Sequence, residues 1–155
     1  MEMRNAKIET SVQRIRTPWH LWFIGLFFIF LYTNGIYDYF MMRGHNEAYY
    51  SAKNYGEAVF VYFTNYPMLP LIFWTINVFS GLIAPILLLI RSRLAVQVSL
   101  ISSVSILCQE FITFAFMDRW NTLGPWISLF DIGILITTFG LFIYCRSMNK
   151  RGVLR

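Results

Sequence analysis

The chain has 155 residues, of which 57% are hydrophobic, 19% aromatic and only 14% charged. With a mean hydropathy of +0.52, this composition lies far outside that of a soluble globular domain. Its net charge of +5 is spread among separate loops rather than gathered into one patch, which argues against a nucleic-acid partner.

A hydrocarbon core about 30 Å thick needs about 20 mostly apolar residues per helical crossing. Four segments meet that need, at residues 19–40, 67–90, 94–117 and 126–145. Strands are excluded, because an open sheet edge cannot be satisfied in lipid. Little sequence remains for a soluble domain, so residues 1–155 are read as a single polytopic membrane domain. The predicted fold is all-α, an integral membrane four-helix bundle in contact with the lipid bilayer.

In chain order, Thr17-Pro18 provides a helix start, since proline is tolerated in a first helical turn. The first span follows a basic tail, as a secretory signal would, but it is long and has no small-x-small cleavage site, so it is expected to be a retained anchor. Residues 41–66, "MMRGHNEAYYSAKNYGEAVFVYFTNY", form the one substantial loop. Within it Ala58–Phe63 is too short to span, and it predicts one short interfacial helix in this first outer loop. The turn "RSR" joins the second and third spans as an antiparallel hairpin. Between the third and fourth, "DRWNTLGP" carries Gly124-Pro125, which ends one helix and begins the next.

Ten of the 13 Lys and Arg residues fall in the N-terminal tail (Arg4, Lys7, Arg14, Arg16), the middle turn (Arg91, Arg93) and the C-terminal tail (Arg146, Lys150, Arg151, Arg155). The other two loops hold only Arg43, Lys53 and Arg119. By the positive-inside rule both termini are expected to be cytoplasmic. Trp19, Trp22, Trp120, Trp126 and Tyr66 sit near segment ends, where amphipathic rings settle at headgroup level. Cys108 and Cys145 fall at opposite depths, which forbids a disulfide between them.

Polar residues inside the spans carry the functional signal. Asn34 and Asp38 share one face of the first helix at i and i+4. Glu110 lies about 10 Å below the outer end of the third helix and Asp131 about 8 Å below the outer start of the fourth. All three acids therefore fall in the outer half. Ser99, Ser103, Glu110 and Thr113 share one face of the third helix, with Ser102 and Gln109 beside them, and that face should look into the bundle. Small-residue stripes at Asn77, Gly81 and Ala84, and at Gly133, Thr137 and Gly140, predict close helix approach.

Charged groups at such depths usually pair, line water or hold a proton, and no Lys or Arg lies inside the four predicted spans. Asn34, Asp38, Asn77, Gln109, Glu110 and Asp131 are accordingly the candidate ligand-binding residues, suited to a proton, a cation or a hydroxyl-rich solute. Structural readings stand beside this one: Asp38 as a helix end in water, Asp131 bonded to a Trp or Tyr, Glu110 paired with Arg119. The tyrosine-rich loop reads as an interfacial belt, with a lid over the outer mouth as its alternative. No G-x-S-x-G, H-E-x-x-H or P-loop occurs, so no enzyme, catalytic residue, cofactor or metal site is expected.

The stretches "RTPWHLW", "NGIYDYFMMRGHNEAYY", "YFTNYP", "LLLIRSRLAV" and "RGVLR" resemble a family of small four-transmembrane-helix bacterial inner-membrane proteins, some labelled sugar-transporter-like. The resemblance covers most of the chain and implies a multi-pass protein of the bacterial cytoplasmic membrane. The Asn and Asp of that family's N-G-x-x-D-Y segment correspond to Asn34 and Asp38. Two functions are expected from residues and resemblance together: small-solute binding or transport through the carboxylate and amide cluster, or a non-catalytic accessory or assembly subunit of a larger membrane complex. Four helices are few for a carrier acting alone, so a homo-oligomer or a larger assembly is the expected partner state.

Overall fold

The computed structural model describes residues 15–155. Arg4, Lys7 and Arg14, three of the cations used to orient the chain, lie outside the described residues. Six helices follow in order: α1 (Trp19–Arg43), α2 (Glu47–Ala52), α3 (Glu57–Thr64), α4 (Met68–Leu89), α5 (Leu94–Phe116) and α6 (Arg119–Lys150). Of these α1, α4, α5 and α6 are long and apolar enough to cross a membrane, which makes the protein an all-α membrane four-helix bundle.

Local chemistry places the helix ends close to their predicted positions. Pro18 and Pro67, both in extended conformation, precede α1 and α4, where a missing N–H costs nothing. α1 continues three residues past the predicted Phe40, and the Gly44 N–H closes it on the Phe40 carbonyl at 2.8 Å. At Gly124 the backbone turns to φ 85° and ψ 166° inside α6, a conformation open to glycine and to few other residues. Pro125 then restarts the helix, and α6 runs five residues past the predicted Cys145. The chain between α1 and α4 carries two short helices rather than one. α3 covers the predicted Ala58–Phe63, and α2 is set by the Asn46 side chain accepting from the Tyr49 N–H at 2.9 Å.

The long helices alternate in direction, with α1 packed on α4, α4 on α5 and α5 on α6. Side chains join α1 to α6: the Tyr32 hydroxyl lies 2.6 Å from Thr138 Oγ1, and His20 meets the Tyr144 hydroxyl at 2.5 Å. Two apolar cores result. One surrounds Leu21, Phe28, Leu88, Leu141 and Met148 near the 91–93 turn. The other, built from Met42, Tyr50, Val59, Phe63 and Tyr66, ties α2 and α3 down over the opposite end. Tyr66, expected at headgroup level, is instead buried in this second core at 7% exposure, because Phe63 and Trp74 flank its ring.

The 91–93 turn is clasped by residues 151–155, which composition alone had marked as a charged tail. The Arg155 N–H donates to the Arg91 carbonyl at 2.6 Å, the Arg93 N–H donates to the Arg155 carbonyl at 3.0 Å, and Arg91 Nε donates to the Val153 carbonyl at 2.8 Å. Val153 and Leu154 are buried beneath this clasp.

The two small-residue stripes fare differently. On α4, Gly81 receives the Tyr32 ring so closely that a Cβ there would stand 2.0 Å from it. On α6, Gly133 and Gly140 are exposed and nothing lies within 4 Å of a Cβ built on either. The expected close approach at α6 is therefore absent among the described residues, because α5 packs on a different face, the one holding Ser128, Thr138, Leu141 and Cys145. Gly81→Ala should cost about 1–3 kcal/mol through overpacking, read as a lowered thermal midpoint in detergent. Gly140→Ala should change stability by less than about 0.5 kcal/mol. A Gly81→Ala protein with the parental midpoint would mean that Tyr32 is not held against α4.

Candidate functional site

The polar face of α5 looks into the bundle as expected, with Ser99, Ser102, Ser103, Gln109, Glu110 and Thr113 all buried. Its two halves use their polarity differently. Toward the middle of the helix the hydroxyls of Ser99, Ser102 and Ser103 find partners within the protein. Asn77 Nδ2 donates to the Ser102 carbonyl at 3.1 Å and to Ser102 Oγ at 3.0 Å, Ser102 Oγ donates back to the Asn77 carbonyl at 3.2 Å, and Ser103 Oγ donates to the Ser99 carbonyl at 2.8 Å. The three bonds between Asn77 and Ser102 clamp α4 to α5.

Two turns further on, Gln109 and Glu110 face a cavity of about 930 Å³. Asn34, Asp38, Asn77, Gln109, Glu110 and Asp131 all line it, so the six residues singled out in the sequence converge on one space. Asn77 does so while committed to Ser102, and Asn34 while donating to the Phe30 carbonyl at 2.7 Å. Tyr32, whose ring rests on Gly81 and whose hydroxyl meets Thr138, borders the cavity toward the packed core below.

The cap closes over the other side. Tyr55, Val59 and Phe63 line the cavity, and the Tyr49 hydroxyl donates to Asp38 Oδ1. Burial and the neighbouring Asp38 charge raise the Tyr49 hydroxyl above the ordinary tyrosine range, which keeps it a donor. For the same two reasons Tyr50, whose hydroxyl donates to the Met42 carbonyl at 3.1 Å, is pushed up to about 12. The segment read from composition as an interfacial belt, with a lid as the alternative, lines the cavity, is held by its own aromatic core and is tied to α1 at Asp38.

Arg119 is the largest departure from the sequence reading, which placed it at the rim and gave the acids no cation within the spans. It opens α6, is 5% exposed, and its Nε donates to Asp131 Oδ2 at 2.8 Å. Asp131 therefore bonds Arg119 rather than a Trp or Tyr. The Arg119 guanidinium also lies over the Tyr62 ring at 5.9 Å. The break at Gly124 directs the first turns of α6 over the cavity, and no periodic pattern relates positions 119 and 131 across such a break. Tyr49, Lys53 and Tyr55 were missed as site residues for a similar reason, since their places depend on how α2 and α3 fold back.

Three buried polar atoms of residues lining the cavity have no hydrogen-bond partner among the described residues: Gln109 Oε1, Glu110 Oε2 and Arg119 Nη1. Buried polar groups in native proteins are satisfied in the great majority of cases, so a local group of exceptions calls for an explanation. Between them they offer two acceptors and a donor, beside Asn34, Asp38, Asn77 and Asp131, in a wall that is otherwise mostly aromatic and aliphatic.

Compared with protein-family models, with curated proteins and with solved structures, the chain finds no match.

Breaking the buried ion pair from one side should be far more damaging than removing it whole. Arg119→Met leaves Asp131 desolvated and unpaired, at an expected cost of about 3–5 kcal/mol, while Arg119→Met with Asp131→Leu should recover most of that loss. Thermal midpoints of the two single variants and the double variant in detergent measure the coupling. Additive effects would mean that the pair does not form.

Proposed function

We propose that the protein is a multi-pass protein of a bacterial inner membrane that binds a small solute in the cavity between α1, α5 and α6, in a role connected with transport. One observation carries this reading. Gln109, Glu110 and Arg119, three residues at least nine-tenths buried and each with an unpartnered polar atom among the described residues, line the same cavity as Asn34, Asp38 and Asp131. Its volume of about 930 Å³ falls within the roughly 300–1,000 Å³ usual for small-molecule sites. The resemblance to four-helix inner-membrane proteins labelled sugar-transporter-like favours the same role.

The charge distribution supports a sidedness. Arg16, Arg91, Arg93, Arg146, Lys150, Arg151 and Arg155 lie at the end of the bundle away from the cavity, while Arg43, Lys53 and Arg119 lie at the cavity end. By the positive-inside rule the first group faces the cytoplasm, as do both termini, and the cavity opens outward beneath an interfacial lid of α2 and α3. Passage inward would require the Tyr32–Thr138 and His20–Tyr144 contacts to part. A homo-oligomer gives the exposed Gly133 and Gly140 face of α6 a partner. The accessory-subunit reading, in which the acids find their cations on another chain, is weakened by Arg119, since Asp131 has its cation at home.

Native mass spectrometry after mild extraction from membranes tests the site. The parent protein should retain a small solute, and Gln109→Leu should lose it while keeping or raising the thermal midpoint, because an unsatisfied buried acceptor costs about 1–3 kcal/mol. A parent protein that is always solute-free, or always held with a second polypeptide in fixed ratio, would overturn the reading. Sidedness is checked separately with Asn54→Cys. A membrane-impermeant maleimide should label this variant, and not the parent, from outside intact cells; labelling only after permeabilisation would reverse the orientation.

A further inference from the structure

The cavity's charges are unequal. Asp38, Glu110 and Asp131 all line it, and Arg119 is the one buried cation among the described lining residues. Arg119 spends its charge on Asp131 at 2.8 Å, the one ion pair among the described residues. That leaves Asp38, whose hydrogen bond comes from a neutral tyrosine, and Glu110, whose Oε2 has no partner. Lys53 reaches the rim only, exposed, with its ammonium 5.4 Å from the Tyr49 ring centroid. A carboxyl group buried to 6% exposure either takes a positive counterpart or holds a proton, and a cationic solute is the counterpart that the cavity's own residues do not supply.

We infer that the solute bound in this cavity is an organic cation with an apolar or aromatic body, its positive charge answered by Asp38 and Glu110, the two lining acids that Arg119 leaves unpaired; this rests on the solute-site reading above. An anion would meet two uncompensated carboxylates. A bare metal ion is disfavoured by the ligand geometry, since no three of His, Cys, Asp and Glu converge closely enough to hold one among the described residues. The walls suit the rest of such a molecule. Tyr55 and Trp74 line the same space, with the exposed rings of Tyr37, Trp126 and Phe130 at its open side, and aromatic faces attract cations and cover apolar groups at once. The lid already displays this chemistry where the Lys53 ammonium sits over Tyr49. Gln109 Oε1 supplies a further acceptor for an N–H, and Arg119 Nη1 a donor for a hydroxyl on the same solute.

The test is equilibrium dialysis of the full-length protein in lipid nanodiscs against benzyltrimethylammonium, its uncharged isostere neopentylbenzene, and mannitol. Saturable binding of the cation is expected, with no saturable binding of the other two. Glu110→Gln and Asp38→Asn, each confirmed monodisperse by size exclusion, should each weaken it at least tenfold. Should Glu110→Gln fail to fold, Asp38→Asn, at the partly exposed mouth, carries the comparison alone. Saturable binding of mannitol without the cation would overturn the cation assignment and leave a solute site standing. Cation binding indifferent to the folded acid variants would overturn it too. If none of the three probes saturates although native mass spectrometry finds a retained solute, the cation assignment falls while the site remains; if no solute is retained either, both fall.

Discussion

In hydrocarbon a polar group has only the partners its own chain supplies, and the arrangement of this bundle follows from how that requirement is met at each depth. Near the middle of α5 it is met by short reciprocal bonds between neighbouring helices, as in the exchange between Asn77 and Ser102. Hydrogen bonds of this kind in membranes are individually modest, about 0.6 kcal/mol on average, so their effect is to fix the register of α4 against α5 more than to add stability. Toward the capped end the requirement is left partly unmet at Gln109, Glu110 and Arg119. Within α5 the contrast is local: Ser102 and Ser103 bond inside the bundle, while Gln109 and Glu110, two turns on, each keep an oxygen without a partner among the described residues.

Tyr32 marks the boundary between these regimes. Its ring needs the bare backbone of Gly81 in order to reach the centre of the bundle, and its hydroxyl then joins α1 to Thr138 on α6. Below it, apolar side chains from all four long helices close the interior. Above it, α1 and α6 bound the cavity and the lid covers the gap. One glycine on α4 thus lets one tyrosine on α1 serve as packing for the lower half and floor for the upper half.

Much of this was legible in the sequence wherever a single helix carried the signal. Four spans, the proline starts, the Gly124-Pro125 break and the inward polar face of α5 all follow from hydrophobic length, φ restrictions and a 3.6-residue period. Asn34, Asp38, Asn77, Gln109, Glu110 and Asp131 could be nominated because polar residues inside an apolar span are costly wherever they point. Relations between helices were beyond that reasoning. The sequence marks Gly81 and Gly140 alike as small residues, and only packing distinguishes the one that receives a ring from the one that faces outward. Arg119 looked like a rim residue because its depth depends on how the chain bends at Gly124. The tyrosines of α2 and the hydrophobic pair Val153-Leu154 acquire their roles from segments folding back, which leaves no period to read.

The bend at Gly124 also sets how much of the cavity's charge is answered within the chain. A straight α6 would carry its first residues out along the helix axis, away from Asp131. With the break, Arg119 returns over the cavity to neutralise Asp131, and Tyr62 of the lid meets the guanidinium face. Helices α2 and α3 are therefore anchored to α6 through Arg119 and to α1 through Tyr49 and Asp38, so that two charged groups lining the cavity also hold its cover in place.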